Sequence, residues 1–180
     1  MSARVHYPWP VRVRGKARWL LWHRSEEGDG PDGFVVEPVE RQLLWFESED
    51  AVQTFAEERG LDFVSAASPL LDLDQLSEAQ VPLEESPAFF SAAVAAFCLW
   101  EDVARSVRPS FAADDDCEEM DWGRNVSWKL SYEGEGTLAE VAGPDVGLYG
   151  ELLCRAVEEL REMMANAVPY VTPRSTGQAR

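Results

Sequence analysis

The sequence predicts an α+β protein in which a small antiparallel sheet from the N-terminal half packs against several helices. Hydrophobic residues make up 46% of the 180 residues, including seven Trp and eight Phe, which is enough to bury a sizeable core. The N-terminal half has short apolar runs separated by Gly, Pro and Asp, the pattern of strands and turns. The C-terminal half has two long apolar segments, which predict a buried central helix and a long amphipathic C-terminal helix.

Three apolar runs predict a meander of short strands. These are residues 17–22 (ARWLLW), 34–39 (FVVEPV) and 43–46 (LLWF), and Pro38 favours an edge position for the second. Residues 25–33 (SEEGDGPDG) between the first two have the composition of a turn or loop. Residues 61–65 predict one more short strand.

The helix signals are clearer because they include capping residues. Ser48 followed by Glu49 and Asp50 predicts a helix start, and Gly60 its end. Ser86 and Pro87 predict the start of the buried helix, which stops before Pro109. Apolar residues at three- and four-residue spacings predict the last helix between Tyr149 and Ala167, and residues 73–80 suggest a short one.

The remaining segments set the expected domain boundaries. Residues 1–16 are basic and contain Pro8 and Pro10, so they are predicted to be a flexible arm. Residues 17–168 are expected to form a single α+β domain, and residues 169–180 a disordered tail. Within the domain, residues 114–121 (DDDCEEMD) are predicted to be a solvated loop, and residues 125–132 (NVSWKLSY) a strand.

The net charge of −17 is distributed unevenly. Residues 1–24 carry six basic residues and no acidic one, whereas residues 25–173 carry 33 acidic and eight basic residues. Such a body repels nucleic acid and anionic membranes and attracts cationic surfaces. A need for solubility, or a high-salt or high-GC host, would also explain the acidity. The basic N-terminal residues either pack on this body or contact an acidic partner.

No motif for catalysis or cofactor binding is present, so the sequence predicts a protein that is not an enzyme and has no cofactor. The chain lacks the nucleotide-binding, nucleophile-elbow and zinc-protease patterns, and its only histidines are His6 and His23. The three cysteines are odd in number and widely spaced, and no apolar leader is visible. A cytoplasmic location without nucleic-acid or membrane partners is therefore expected.

Residues 114–128 are the predicted partner-binding cluster, in which carboxylates would attract a basic protein and tryptophans would hold it. Its members are Asp114, Asp115, Asp116, Glu118, Glu119, Asp121, Trp122, Arg124 and Trp128. Alternatively, the acidic residues are only solvated, and the tryptophans belong to the core. A third alternative is a cation site at Asp114, Asp116 and Glu118, although the pattern of an EF-hand loop fails.

Two stretches resemble a known class of proteins. The first runs from residues 43–46 (LLWF) through 48–51 (SEDA) to Gly60, and the second comprises residues 97–104 (FCLWEDVA) and 120–125 (MDWGRN). Both resemble small acidic bacterial immunity-type proteins, which bind and neutralise a toxin in the same cytoplasm. The resemblance implies an α+β inhibitor with no cofactor and no catalytic residues.

Three functions follow as hypotheses. The first is a non-catalytic, cytosolic, immunity-type inhibitor that masks a basic partner such as a toxin. The second is a metal-dependent enzyme that uses the carboxylates of residues 114–121. The third is an accessory subunit whose long helices pack in a larger assembly.

Overall fold

The computed structural model describes residues 4–25, 32–65, 68–78, 86–108, 111, 115–133 and 136–171, with the backbone alone at residues 25, 115–117 and 133. It confirms the α+β class. The main sheet is mixed, with strands β1 (Arg4–Val13), β2 (Lys16–Ser25), β3 (Gly33–Phe34), β5 (Asp62–Phe63) and β6 (Leu71–Asp72). Its order is β3-β2-β1-β5, and β6 also pairs with β1. A separate parallel pair joins β4 (Leu44–Trp45) to β7 (Val168–Pro169).

The described residues form six α-helices beside this sheet. Their bounds are α1 (Glu49–Arg59), α2 (Leu73–Glu78), α3 (Pro87–Val107), α4 (Asp115–Trp128), α5 (Leu138–Ala142) and α6 (Val146–Ala165). A π-helical turn, Lys129–Glu133, extends α4. The predicted caps are confirmed: the Ser48 side chain accepts from the N–H of Ala51, Ser86 does the same for Phe89, and Gly60 ends α1 in the left-handed conformation.

The prediction of a flexible arm over residues 1–16 is wrong for the described residues. Residues 4–13 form the central strand β1, which pairs along its whole length with β2. Pro8 and Pro10 suggested irregular backbone, but β1 has no need of an N–H donor at either position. The carbonyl of His6 accepts a hydrogen bond from Val64 on the β5 side of the strand. Because backbone polar groups alternate along a strand, those of Pro8 and Pro10 point to the same side as those of His6. The described strands on that side, β5 and β6, pair only at residues 5–6 and 11–12 of β1.

Two predictions in the second half are also wrong. Residues 115–121 are helical rather than a loop, and residues 125–132 belong to α4 and the π-helical turn rather than to a strand. The reason is packing: Met120, Val126 and Leu130 are buried at helical spacing and line the side of α4 that faces the core. Burial of this face outweighs the high acidity of the first turns.

The core has a large cluster and a small one. The large cluster surrounds α3 and α6, and both helices bury the apolar residues expected of them. The small cluster contains Leu21, Phe46, Val52 and Phe55. Tyr170 closes it, with its ring 4.7 Å from that of Phe55, so residues 169–171 are not part of a disordered tail. Residues 172–180 lie outside the described part.

Helix α3 occupies the centre of the molecule. Among the described helices it is the one long and apolar enough, by length and composition, to cross a membrane. Its apolar side chains, including Phe90, Phe97 and Trp100, are buried in the large cluster instead. Its long apolar sequence is therefore explained by its place in the core.

Candidate functional site

The outer face of α4 carries most of the described part of the predicted partner-binding cluster. Glu118, Glu119 and Asp121 are exposed on this helix, and Trp128 is exposed at its end. Glu119 accepts a hydrogen bond of 3.3 Å from Arg155 on α6. Helical spacing puts the acidic residues on the early turns and the aromatic residue on the last one. Asp121 lies seven residues, close to two turns, before Trp128 and so shares its side of the helix, whereas Glu119 lies towards α6.

Trp128 and Tyr132 form an exposed pair of aromatic side chains in contact, called here the aromatic edge. Their ring centroids are 4.5 Å apart, and the ring planes are inclined by 34° to each other. Trp128 is 48% exposed and Tyr132 is 58% exposed, among the largest exposed apolar side chains that the structure describes. Their four-residue separation puts them on one face, and the π-helical turn carries Tyr132.

An apolar groove of about 650 Å³ adjoins the aromatic edge. The groove lies between α3 and the β6–α2 region, and Leu70, Phe89 and Ala92 contribute to its walls. Tyr132 lines one rim, where its hydroxyl lies 3.2 Å from the hydroxyl of Ser91. Residues 79–85, which precede Ser86 at the rim, lie outside the described residues. The aromatic edge and the groove therefore meet at Tyr132.

Trp122 and Arg124 face the body of the molecule instead. Trp122 is half-buried against the large core cluster. Arg124 donates to Glu101 over 2.8 Å and pairs with Asp121 over 2.6 Å. Burial alone would lower the pKa of Arg124, but Asp121, Cys98 and Glu101 outweigh it and raise this pKa. These two residues fix α4 on α3 and leave little surface for a partner.

The acidic start of the cluster is described only in part. Asp114 lies outside the described residues, and the side chains of Asp115, Asp116 and Cys117 do as well. Among the described side chains, no three of His, Cys, Asp and Glu are grouped so that they could hold a metal ion. The cation site at Asp114, Asp116 and Glu118 therefore stays a prediction.

Tyr132 and the groove were missed by the sequence reasoning. The signal for Tyr132 was its four-residue distance from Trp128, which has meaning only if the segment is helical rather than extended. Cys154 is exposed on α6, although it lies among the apolar residues of that helix. Cys98 is partly exposed and lines the groove, and burial raises the pKa of its thiol.

Comparison of this chain with protein-family models, curated proteins and solved structures found no match.

Proposed function

We propose that this chain is a non-catalytic protein-binding protein that holds a basic partner on the outer face of α4. The observation that carries the proposal is the exposed contact between Trp128 and Tyr132, of which Tyr132 lines the rim of an apolar groove. Trp and Tyr are among the residues that most often dominate the binding energy of protein interfaces, especially in pockets that become desolvated on binding. An isolated exposed aromatic side chain would be weak support for a binding surface, whereas two such side chains in contact beside a groove are stronger support.

The charge of the surrounding surface supports a basic partner. The chain has a formal net charge of −17, and Glu118, Glu119 and Asp121 are exposed on the same helix as Trp128. Complementary charge accelerates association and rejects acidic competitors, while desolvated aromatic contacts slow dissociation. The resemblance to immunity-type proteins suggests that the partner is a toxin. It also suggests that binding masks the toxin's basic surface in the cytoplasm.

The test is capture of a partner from lysate of the source cells with matched baits. The wild-type chain should retain a basic protein at low salt and release most of it at high salt, because salt screens exposed charges. Trp128→Ala should lose the same protein at both salt concentrations, with affinity lowered by at least about ten-fold, equivalent to ~1.4 kcal/mol. Its thermal stability should stay close to that of wild type, because Trp128 is 48% exposed.

Val39→Ala provides the control. Val39 is 85% exposed in the turn that precedes β4, so this change also removes exposed apolar surface, but away from α4. The Val39→Ala bait should retain the partner like wild type. Equal retention by the wild-type and Trp128→Ala baits would contradict the proposal, and so would capture that salt leaves unchanged.

A further inference from the structure

A second cavity, of about 600 Å³, lies at the opposite end of α3 from the groove and has a basic lining. Four arginines from four different parts of the chain meet there: Arg4, Arg41, Arg59 and Arg105. They come from β1, from the turn before β4, from the end of α1 and from the end of α3. Only 16 of the 180 residues are Lys or Arg, so such convergence in an acidic chain needs an explanation. This cavity is called the cationic pocket below.

Three of these arginines have no carboxylate partner among the described residues. Arg105 pairs with Glu101 and Asp102 on its own helix. Arg59 instead places its guanidinium 4.8 Å from the centre of the Phe55 ring. Neither Arg4 nor Arg41 forms an ion pair with any described side chain. Asp32 also lines the pocket, so the described lining holds four guanidinium groups and one carboxylate, and positive charge predominates.

Arg41 is held in place by unusual backbone. Its φ of 54° lies in the left-handed region, which is uncommon for residues other than Gly and is often retained at binding sites. Its guanidinium donates to the carbonyl of Ser106 over 2.6 Å, while its Nε is buried without a hydrogen-bond partner in the described structure. Burying an N–H group without a hydrogen-bond partner is costly, so an anion that accepts from Nε of Arg41 would offset that cost.

His6 and His23 add neutral hydrogen-bonding groups to the pocket. Their rings are 5.9 Å apart, and Nδ1 of His6 lies 3.1 Å from the carbonyl oxygen of Asp62. Burial lowers the pKa of His23 to about 4, assisted by the charge of Arg4, and burial also lowers the pKa of His6. Both rings are therefore uncharged at neutral pH, and the positive charge of the pocket comes from its arginines.

The remaining walls are apolar. Phe34, Val35, Val36 and Leu61 line the cavity beside the arginines. Gly33 permits this arrangement, because a Cβ there would lie 2.8 Å from Oγ of Ser106 and 3.4 Å from Nε2 of His23. A volume of this size is typical of pockets for small organic ligands.

We propose that the cationic pocket binds a small organic anion, with its carboxylate or phosphate against Arg4, Arg41 and Arg59 and its apolar part against Phe34 and Leu61. Arginine forms paired hydrogen bonds with carboxylates and with phosphates. The pocket therefore favours ligands that combine a negative charge with an apolar part, whichever of the two anionic groups they carry. The proposal is independent of the partner-binding function, since no residue of the pocket belongs to α4.

The test is titration of the full chain with phenyl phosphate, benzoate and inorganic phosphate, followed by calorimetry and by the NMR signals of the two histidine rings. At least one aromatic anion should bind saturably at one molecule per chain and shift both ring signals. Stronger binding of phenyl phosphate would identify a phosphate ligand, and stronger binding of benzoate a carboxylate ligand. Inorganic phosphate binding as tightly as both would overturn the role given to the apolar walls.

Variants distinguish this pocket from general attraction between charges. Arg41→Gln should weaken binding by about ten-fold or more. The double variant Arg4→Gln/Arg59→Gln should do the same and should fold normally, because both side chains are exposed. Lys16→Gln removes the same kind of charge at the far end of the hairpin, about 24 Å along the strand from His6, and should bind like wild type. No saturable binding up to about 10 mM, or equal losses in Lys16→Gln and the double variant, would overturn the proposal.

Discussion

Leu153 shows how strongly a single buried side chain contributes to this fold. It is 2% exposed on α6 and belongs to the large core cluster, whereas Leu148 on the same helix is 40% exposed. We expect Leu153→Ala to lower the free energy of unfolding by about 2–5 kcal/mol, because it removes buried methyl groups and leaves a cavity. Chemical denaturation measures this difference.

Leu148→Ala is the matched control. The same atoms are removed from a largely exposed position, so the loss should be well under that of Leu153→Ala. Similar losses in the two variants would mean that the buried face of α6 is assigned wrongly.

At the scale of elements, the contact between α3 and α4 depends on a glycine. A Cβ built on Gly123 of α4 would lie 2.7 Å from the Phe97 ring of α3, which is itself buried and cannot move away freely. Gly147 of α6 has no atom within 4 Å of the corresponding position. Substitution of the two glycines by alanine therefore distinguishes the effect of close packing, at Gly123, from that of helix propensity, at Gly147.

We expect Gly123→Ala and Gly147→Ala to change thermal stability in opposite directions. In Gly123→Ala, overpacking against Phe97 costs about 1–3 kcal/mol and should exceed the gain in helix propensity. In Gly147→Ala, a gain in helix propensity should remain, smaller than the ~1 kcal/mol of a helix interior because Gly147 is the second residue of α6. Melting temperatures measure both, and a higher melting temperature for Gly123→Ala would contradict the close packing of α3 and α4.

The helices differ in how well the sequence predicted them, for physical reasons. Helices α1 and α3 have side-chain caps at Ser48 and Ser86, and such signals are local. In α4, the helical spacing of Met120, Val126 and Leu130 was present but lay among carboxylates that indicated a loop. Strand β1 was missed because of its two prolines. Prolines are acceptable in a strand only where the neighbouring strand does not require their N–H groups, and the amino-acid sequence around them does not show where the neighbouring strands pair.

The two sites differ in the same way. Trp128 and the acidic residues of α4 are close in sequence, so their cluster was visible from composition alone. The cationic pocket was not, because Arg4, Arg41, Arg59 and Arg105 are brought together only by the packing of β1, α1 and α3.

At the scale of the whole molecule, two half-buried groups, His23 and Asp102, give the stability opposite dependences on pH. The pKa of His23 is lowered to about 4 by burial, so between about pH 4 and 6.5 the unfolded chain binds the proton more readily and stability rises with pH. Burial raises the pKa of Asp102 to about 6, although Trp22 donates a hydrogen bond to it. The folded chain therefore retains this proton more readily, and stability falls as pH rises from about 4 to 6.

We expect single variants to reveal the two contributions. His23→Gln removes the contribution that rises with pH, so its stability should fall more steeply than that of wild type as pH rises from 4 to 6. Asp102→Asn removes the contribution that falls with pH, so its stability should rise more steeply over the same range. Urea unfolding at several pH values measures both slopes, and curves parallel to wild type for both variants would contradict the assignment.

The prolines of β1 have a consequence for self-association. An unpaired stretch at the side of a central strand can recruit a strand from a second molecule, the first step towards cross-β aggregates. Residues 7–10 of β1 lie between its pairings with β5 and β6. On this side, Pro8 and Pro10 offer carbonyl oxygens to a strand of a second molecule, but they have no N–H groups to donate to it. Whenever the connection between β5 and β6 leaves this side of β1, the two prolines therefore oppose pairing with a strand of a second molecule.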